Sequence, residues 1–167
     1  MNMNHPVKEF FGISELICPH VSAKFGSYSW QFFDRRLLDT VYVVRKYIDK
    51  SMIVNNWAVG GTLSQRGLRC NVCQLVKSKT ALEKVYLSPH SFGEGVDFHI
   101  VGMTANEVRL WICENQVLLP HPIRLEVDFN VAGKSEMTIR SQMNLCKMNW
   151  VHLDVRAENQ KISFFKG

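Results

Sequence analysis

The chain has 167 residues, of which 46% are hydrophobic and 21% charged, and this fits one globular domain spanning 1–167. No run approaches the roughly 18 unbroken apolar residues of a membrane helix, which argues against a membrane span. The formal charge of +5 comes from scattered lysines and arginines without a dense basic run, so no nucleic-acid partner is indicated.

Two helices and a short strand are predicted from local patterns. In 34–48, apolar residues spaced by four, three and four residues lie on one helical face. The segment 51–56 predicts a short strand, whereas 60–87 shows little periodicity and predicts a long surface excursion, often a functional feature in a compact domain. Thr104 and Glu107 have the spacing of a capping box and predict the start of a second helix.

Three later segments alternate apolar and polar residues, which predicts strands with one apolar and one ionisable face. They are 96–101, 123–130 and 150–156. In one antiparallel sheet, the apolar faces would pack on the helices, and Asp97, Glu126 and His152 would converge on the other side. We therefore expect an α+β fold: a small antiparallel sheet with helices on one face and a polar site on the other.

The most informative segment is 88–97, with the sequence SPHSFGEGVD. It contains His90 and Asp97, whose nitrogen and oxygen atoms are good zinc ligands. A third ligand from a separate strand would leave the fourth tetrahedral position for water, as hydrolysis requires. On spacing alone, a surface histidine and a turn aspartate would be the commoner interpretation.

The pattern Ser-x-His-x-x-Gly-x-Gly-x-Asp of 88–97, followed far downstream by Trp-x-His at 150–152, resembles the zinc D,D-peptidase family. Its members include D-alanyl-D-alanine carboxypeptidases and phage L-alanyl-D-glutamate endopeptidases. A third stretch, 55–61 with Gly-Leu-Arg at 67–69, resembles the phage-encoded branch. The three motifs occur in order, and the resemblance runs from about residue 10 to residue 157, which makes it more specific than any single motif.

The resemblance implies a hedgehog/DD-peptidase-like fold and a Zn²⁺ cofactor held by His90, Asp97 and His152. It also implies hydrolysis of peptidoglycan stem peptides, of the carboxypeptidase or the endopeptidase type. Arg69 and Ser88 match positions that contact the substrate peptide and its carboxylate, and a guanidinium can bond both carboxylate oxygens. A solvated loop arginine and a turn serine are the structural alternatives.

The residue at the position of the family's catalytic base differs in this chain. Many members have a glutamate three residues before the second histidine, where this chain has Asn149, and an amide cannot accept a proton. Residues 123–126 (IRLE) loosely match a glutamate-bearing stretch of the phage branch, so Glu126 is the predicted base. A surface carboxylate paired with a neighbouring arginine is the alternative for Glu126. Asp128 is the reserve base, and 131–149 would be an inserted hairpin or loop.

Other candidates have weaker support. Cys70 and Cys73 have zinc-ligand spacing, but no second Cys-x-x-Cys exists, so ordinary cysteines are favoured over a second metal. His99 either orients a ligand or is half-exposed on the sheet. The remaining histidines and three tryptophans carry no supporting context and are assigned to packing or surface positions: His5, His20, His121, Trp57, Trp111 and Trp150.

Two functions follow from the sequence. The first is a zinc peptidase acting on bacterial peptidoglycan at the cell wall. The second is a catalytically impaired structural or wall-binding component of a phage virion or tail, with other phage structural proteins as partners. Asn149 favours the second, whereas three ligands with an open fourth position favour the first. The first nine residues lack the apolar core of a secretory signal, so we expect synthesis in the cytoplasm. Together with the segment that resembles the phage branch, this favours a phage protein that reaches the wall through a tail or a holin.

Overall fold

The computed structural model describes residues 4–81, 85–157 and 160–167. The helices found in these residues are α1 (Ile13–Leu16), α2 (Pro19–Phe25), α3 (Arg35–Ile48), α4 (Gln74–Thr80), α5 (Ala105–Glu114) and α6 (Glu136–Ser141). The strands are β1 (Met52–Ile53), β2 (Gly95–Ile100), β3 (Ile123–Val127), β4 (Val151–Asp154) and β5 (Ile162–Lys166). Within the described ranges, no helix combines the length and the hydropathy needed to cross a bilayer.

Both helices predicted from periodicity and capping are confirmed. The side chain of Asp34 accepts a hydrogen bond from the Arg36 amide and begins α3, which buries its apolar face in the core. At the start of α5, Thr104 Oγ1 accepts from the Glu107 amide, and Glu107 Oε2 accepts from the Thr104 amide at 2.7 Å. These reciprocal bonds satisfy amides that have no partner inside the helix.

The five strands form one sheet in the order β1-β2-β4-β3-β5. Three pairings are antiparallel, but β5 pairs with β3 in parallel, so the predicted all-antiparallel sheet is wrong at this edge. No strand was predicted after residue 156. The β5 sequence, Ile-Ser-Phe-Phe-Lys, lacks the strict alternation that identified the other strands.

The register aligns one row of side chains across four strands. Asp97 of β2 lies opposite His152 of β4, and Glu126 of β3 lies opposite Phe165 of β5. Strands β3 and β4 pair Arg124 with Asp154 and Leu125 with Leu153. Continuing this register by one residue places Glu126 opposite His152. Because alternate side chains share a face, this row forms the polar side of the sheet.

The opposite side of the sheet is apolar and fully covered. Its buried residues are Val96, Phe98, Ile100, Ile123, Leu125, Val127, Val151 and Leu153. Helix α5 contacts β2 and β4 and adds Val108 and Ile112 to the same core. The sheet is therefore the wall between a hydrophobic core and a polar site, as the alternation predicts.

Two predictions for the connecting segments are wrong. The part of 60–87 that the structure describes is no surface excursion, because Leu68, Cys73 and Val76 are buried and α4 lies within it. The segment 131–149 contains helix α6 and a small apolar cluster around Met143, where a hairpin or loop was expected. In both segments the buried residues come from short helices and irregular backbone, which have no period to detect.

Candidate metal centre

Three side chains from three elements converge at one end of the polar row. His90 comes from the 3₁₀ turn Pro89–Phe92, Asp97 from β2 and His152 from β4. His90 Nε2 lies 3.2 Å from His152 Nδ1 and 3.3 Å from Asp97 Oδ1. His152 Nδ1 lies 2.6 Å from the same carboxylate oxygen. The structure thus brings the three predicted ligands together, and their ligand atoms could hold one metal ion.

The spacing of these atoms fits a zinc ion. Bonds of about 2.0–2.1 Å at tetrahedral angles separate neighbouring ligand atoms by about 3.3 Å. Both distances from His90 Nε2 agree with that value. The third, between His152 and Asp97, is shortened by a hydrogen bond. Two imidazoles and one carboxylate are a donor set that zinc accepts, and three protein ligands leave the fourth tetrahedral position for water or substrate.

Two glycines allow the turn carrying His90 to fold back onto β2. Gly93 has a φ of 66°, and a Cβ on it would lie 2.1 Å from the Phe32 carbonyl oxygen. A Cβ on Gly95 would lie 2.9 Å from the Pro89 ring. Any larger residue would push the turn off the strand and move His90 away from Asp97.

Both histidine rings are oriented by a partner at the nitrogen that does not face the candidate metal centre. His90 Nδ1 donates to the Gly67 carbonyl at 2.9 Å, which leaves Nε2 facing the centre. His152 Nε2 lies 3.4 Å from Asp154 Oδ2, and Arg124 holds that carboxylate through two hydrogen bonds of 2.8 Å. Partners of this kind fix the tautomer and the ring orientation of metal-binding histidines. Sequence reasoning missed this role of Asp154, although its position two residues after His152 places it on the same strand face.

The electrostatics of the site favour a cation. Burial opposes protonation of His152, but hydrogen bonds with Asp154 and Asp97 outweigh it and raise the pKa of His152 to about 9. Burial would raise the pKa of Asp97, yet the two imidazoles lower it below the ordinary value. The pKa of His90 is lowered by burial, so this ring stays neutral, as a ligand must be. The carboxylates of Asp97 and Asp154 thus favour positive charge at His152.

The three side chains form part of the wall of a cavity of about 500 Å³, a size typical of small-molecule sites. The predicted site residues Arg69, Ser88 and Glu126 line it as well. Trp150 and Phe165 form apolar parts of the wall, and the ring of Phe165 stands edge-on to His152 at 5.8 Å. The cavity therefore combines a candidate metal centre with carboxylate, guanidinium and aromatic groups.

Glu126 reaches this cavity without a partner of opposite charge. Its carboxylate makes no ion pair with any described residue, so the alternative of a surface carboxylate paired with an arginine does not hold for that part of the chain. Burial raises its pKa above the ordinary value for glutamate. The main chain of Gly167 lies against it, and a Cβ there would be 1.6 Å from Oε1.

The competing base candidates lie elsewhere. Asp128 is exposed, and its Oδ2 accepts a hydrogen bond from the Lys147 amide at 2.8 Å. Asn149, where the family that the sequence resembles has a glutamate, is also exposed. The cavity wall includes neither of them. Of the three candidates for the base, Glu126 is thus the one that lines the cavity.

Arg69 is buried beside the candidate metal centre, with only 7% of its surface exposed, so the alternative of a solvated loop arginine is wrong. Its Nη2 donates to Ser88 Oγ at 3.5 Å, and its buried Nε has no hydrogen-bond partner. None of the described carboxylates forms an ion pair with it. A buried guanidinium with unused donors is suited to an anionic group of a ligand.

The remaining predicted candidates have structural partners. His99 Nδ1 lies 3.0 Å from Arg66 Nη1 and is not part of the metal-facing group. His5 and His121 both contact the carboxylate of Asp39, at 2.8 and 3.0 Å. Trp57 donates to the Ile17 carbonyl, and Trp111 packs against the core, as expected for packing residues.

A second group of side chains that could hold a metal lies outside the cavity. It joins Cys70 and Cys73 to Cys18 and His20, with all ligand atoms within 4.8 Å of one another. The prediction of ordinary cysteines rested on the lack of two further ligands. The Cys-Pro-His run at 18–20 supplies these two ligands. It lies about fifty residues before Cys70, so the sequence spacing does not connect the two pairs.

Comparisons of the chain with protein-family models, with curated proteins and with solved structures gave no match. The functional assignment therefore depends on the sequence motifs and on the geometry of the site.

Replacing Asp154 with asparagine tests the support behind His152. We expect Asp154→Asn to weaken zinc binding at this centre about 10-fold to 100-fold, because the amide keeps the shape but loses the charge that polarises the imidazole. Competition with a chromogenic zinc chelator measures the affinity. Asp128→Asn removes an exposed carboxylate just after β3 and should leave the affinity unchanged. Equal affinities in the two variants would contradict the role given to Asp154.

Proposed function

We propose that the chain is a zinc-dependent peptidase of the D,D-peptidase type, with a hedgehog/DD-peptidase-like fold, and that it hydrolyses peptidoglycan stem peptides at the bacterial cell wall. One observation carries the proposal. The metal-facing atoms of His90, Asp97 and His152 lie within 3.3 Å of one another in a cavity that also holds an unpaired Glu126 and a buried Arg69.

Zinc bound at this centre would act as a Lewis acid and lower the pKa of a water molecule to about 7. Glu126 then has the position and chemistry of a general base. Its side chain shares the sheet face with His152, one strand away, and neighbouring side chains there are about 4.5–5.5 Å apart at Cβ. Because burial raises its pKa, the carboxyl group can take up a proton and return it to the leaving amine.

The wall of the cavity beside the candidate metal centre supports recognition of a carboxylate. Arg69 is buried, has an unused Nε–H and lies beside the Ser88 hydroxyl. A guanidinium can bond both oxygens of a carboxylate, and stem peptides carry such groups near their cleavable bonds. Trp150 and Phe165 give the cavity apolar walls that suit the methyl groups of alanine residues.

Arg69→Lys tests this contact, because lysine keeps the charge but loses the fork of donors. We expect kcat/KM to fall about 10-fold to 100-fold through a higher KM, since a hydrogen bond to a charged group contributes about 1.5–3 kcal/mol. Steady-state kinetics on a synthetic stem peptide measure the effect. A peptide amidated at that carboxylate is the control, and on it the two proteins should differ little. An unchanged KM would remove Arg69 from substrate binding.

The activity itself is tested with the zinc-loaded protein and purified sacculi. We expect mass spectrometry to detect released D-alanine if the protein is a carboxypeptidase, or new amino termini if it is an endopeptidase. Asp97→Asn is the negative control, because it removes a ligand without changing the shape of the site. Protein that carries zinc and binds sacculi but releases neither product would contradict the peptidase proposal. It would favour the impaired structural component of a phage virion or tail.

A further inference from the structure

Four metal-binding side chains that the proposed peptidase site does not use meet where two distant segments touch. Cys18 immediately precedes α2, and His20 lies in the first turn of that helix. Cys70 follows Arg69, and Cys73 immediately precedes α4. The two thiols of Cys18 and Cys73 are buried, Cys70 is half-buried and His20 is exposed.

The distances within this group match one tetrahedral zinc ion. With Zn–S bonds of about 2.3 Å and Zn–N bonds of about 2.0–2.1 Å, two sulfurs lie about 3.8 Å apart and a sulfur and a nitrogen about 3.6 Å apart. Cys18 Sγ lies 3.8 Å from Cys70 Sγ, and Cys70 Sγ lies 4.0 Å from Cys73 Sγ. His20 Nδ1 lies 3.7 Å from Cys73 Sγ.

The same distances exclude a disulfide, whose sulfurs are about 2.05 Å apart, and all five cysteines are free. Three thiols and one imidazole are also the wrong donors for calcium or magnesium, which take oxygen ligands. Four protein ligands leave no open position, which is the property of structural rather than catalytic zinc sites.

We infer that Cys18, His20, Cys70 and Cys73 hold a structural Zn²⁺, and that this ion positions the backbone behind the candidate active site. Cys18 and Cys70 are 52 residues apart, so the ion closes a long loop much as a disulfide would. It fastens the segment 67–73 to the segment 16–20, and the former carries residues of the cavity.

The backbone between the two sites is short and tightly held. The Leu68 amide donates to the Leu16 carbonyl at 2.8 Å, and the Cys18 amide donates to the Leu68 carbonyl at 2.9 Å. A Cβ on Gly67 would lie 1.9 Å from the Leu16 oxygen, so the two segments are in direct contact. The Gly67 carbonyl is the group that orients His90.

Along the chain, Arg69 lies between Gly67 and the zinc ligand Cys70. Its amide donates to the His90 carbonyl at 3.3 Å, and its side chain lines the cavity. Loss of the structural ion would free the segment 67–73 and loosen both the His90 ring and the Arg69 guanidinium. The positioning role rests on the proposed function, whereas the metal site itself does not.

Metal content separates the two sites. We expect the full-length wild-type chain to carry about two zinc ions, and Cys73→Ser and His90→Ala about one each. Cobalt substitution identifies which ion is lost. His90→Ala should keep the thiolate-to-cobalt charge-transfer band in the near ultraviolet, and Cys73→Ser should lose it. Cys146→Ser, at a buried cysteine outside the group, should keep both metals and the band.

A measurement on the wild type covers the case in which Cys73→Ser does not fold. Titration with a mercurial that binds thiols should release about one zinc per chain to a chromogenic chelator, and the other should stay bound. A wild-type cobalt form without a thiolate band would overturn the structural site, whether or not the protein is a peptidase. If Cys73→Ser binds zinc at the His90 centre as tightly as Cys146→Ser does, the positioning role is overturned. We expect an affinity about 10-fold lower.

Discussion

Glu126→Gln should reduce kcat about 10²-fold to 10⁴-fold while leaving the zinc content of the protein unchanged. Glutamine has the same size, so the packing against Gly167 and the cavity wall is preserved. The amide cannot accept a proton, and the site then lacks the group that would deprotonate the attacking water. Turnover of a synthetic stem peptide and metal analysis of the same preparation measure the two quantities.

Asp128→Asn is the matched control, because Asp128 lies two residues along the chain from Glu126 but is exposed and outside the cavity. It should retain the full kcat. Full activity in Glu126→Gln would rule out Glu126 as the base. Loss of zinc in that variant would instead assign Glu126 to the metal, since His90, Asp97 and His152 alone should keep the ion.

The parts of the fold that the sequence predicts are those whose period is local. Helix α3 follows from the apolar spacing in 34–48, and α5 from the box formed by Thr104 and Glu107. The strands β2, β3 and β4 follow from alternation, because one face of each meets the core and the other meets the site. That alternation also placed Asp97, Glu126 and His152 on one side of the sheet.

The elements that sequence analysis missed are set by contacts between distant residues. Strand β5 takes its conformation from parallel pairing with β3, a partner that no local pattern indicates. Leu68 is buried in irregular backbone because it pairs with Ile17, about fifty residues earlier. Propensity and period carry no information about such contacts.

The candidate site likewise has residues that the sequence indicated and residues that it did not. The candidate ligands were indicated by motifs that resemble a known family, and Glu126 was indicated by the alternation of its strand. The group of Cys18, His20, Cys70 and Cys73 could not, because its two halves are adjacent only after the chain folds. The hydrogen bond from His90 to the Gly67 carbonyl could not be predicted either, because every residue type has a backbone carbonyl.

Arg109→Met should lower the free energy of unfolding by about 2–5 kcal/mol, the largest stability effect that we expect from a residue outside the two candidate metal groups. Arg109 is fully buried in α5, and methionine is an apolar side chain of similar length. Its guanidinium donates to the carbonyls of Glu126, Met148 and Trp150 and to the side chain of Asn106. The substitution would remove the donor from these part-buried acceptors. Water can replace the guanidinium at some of them, so the expected loss is that of one or two unsatisfied acceptors, at about 1–3 kcal/mol each.

The same guanidinium ties the Glu126 backbone to the backbone that leads into β4, so its loss should also separate Glu126 from His152. Urea unfolding of the zinc-saturated protein measures the stability. Arg140→Met is the matched control, since Arg140 is half-buried and its ion pairs with Glu136 and Glu114 are long, at 3.8 and 4.0 Å. It should change the free energy by about 0.5 kcal/mol or less. Equal stabilities of the two variants would mean that water or other donors satisfy the carbonyls around Arg109, and the connection between α5 and the active-site strands would then be one of packing alone.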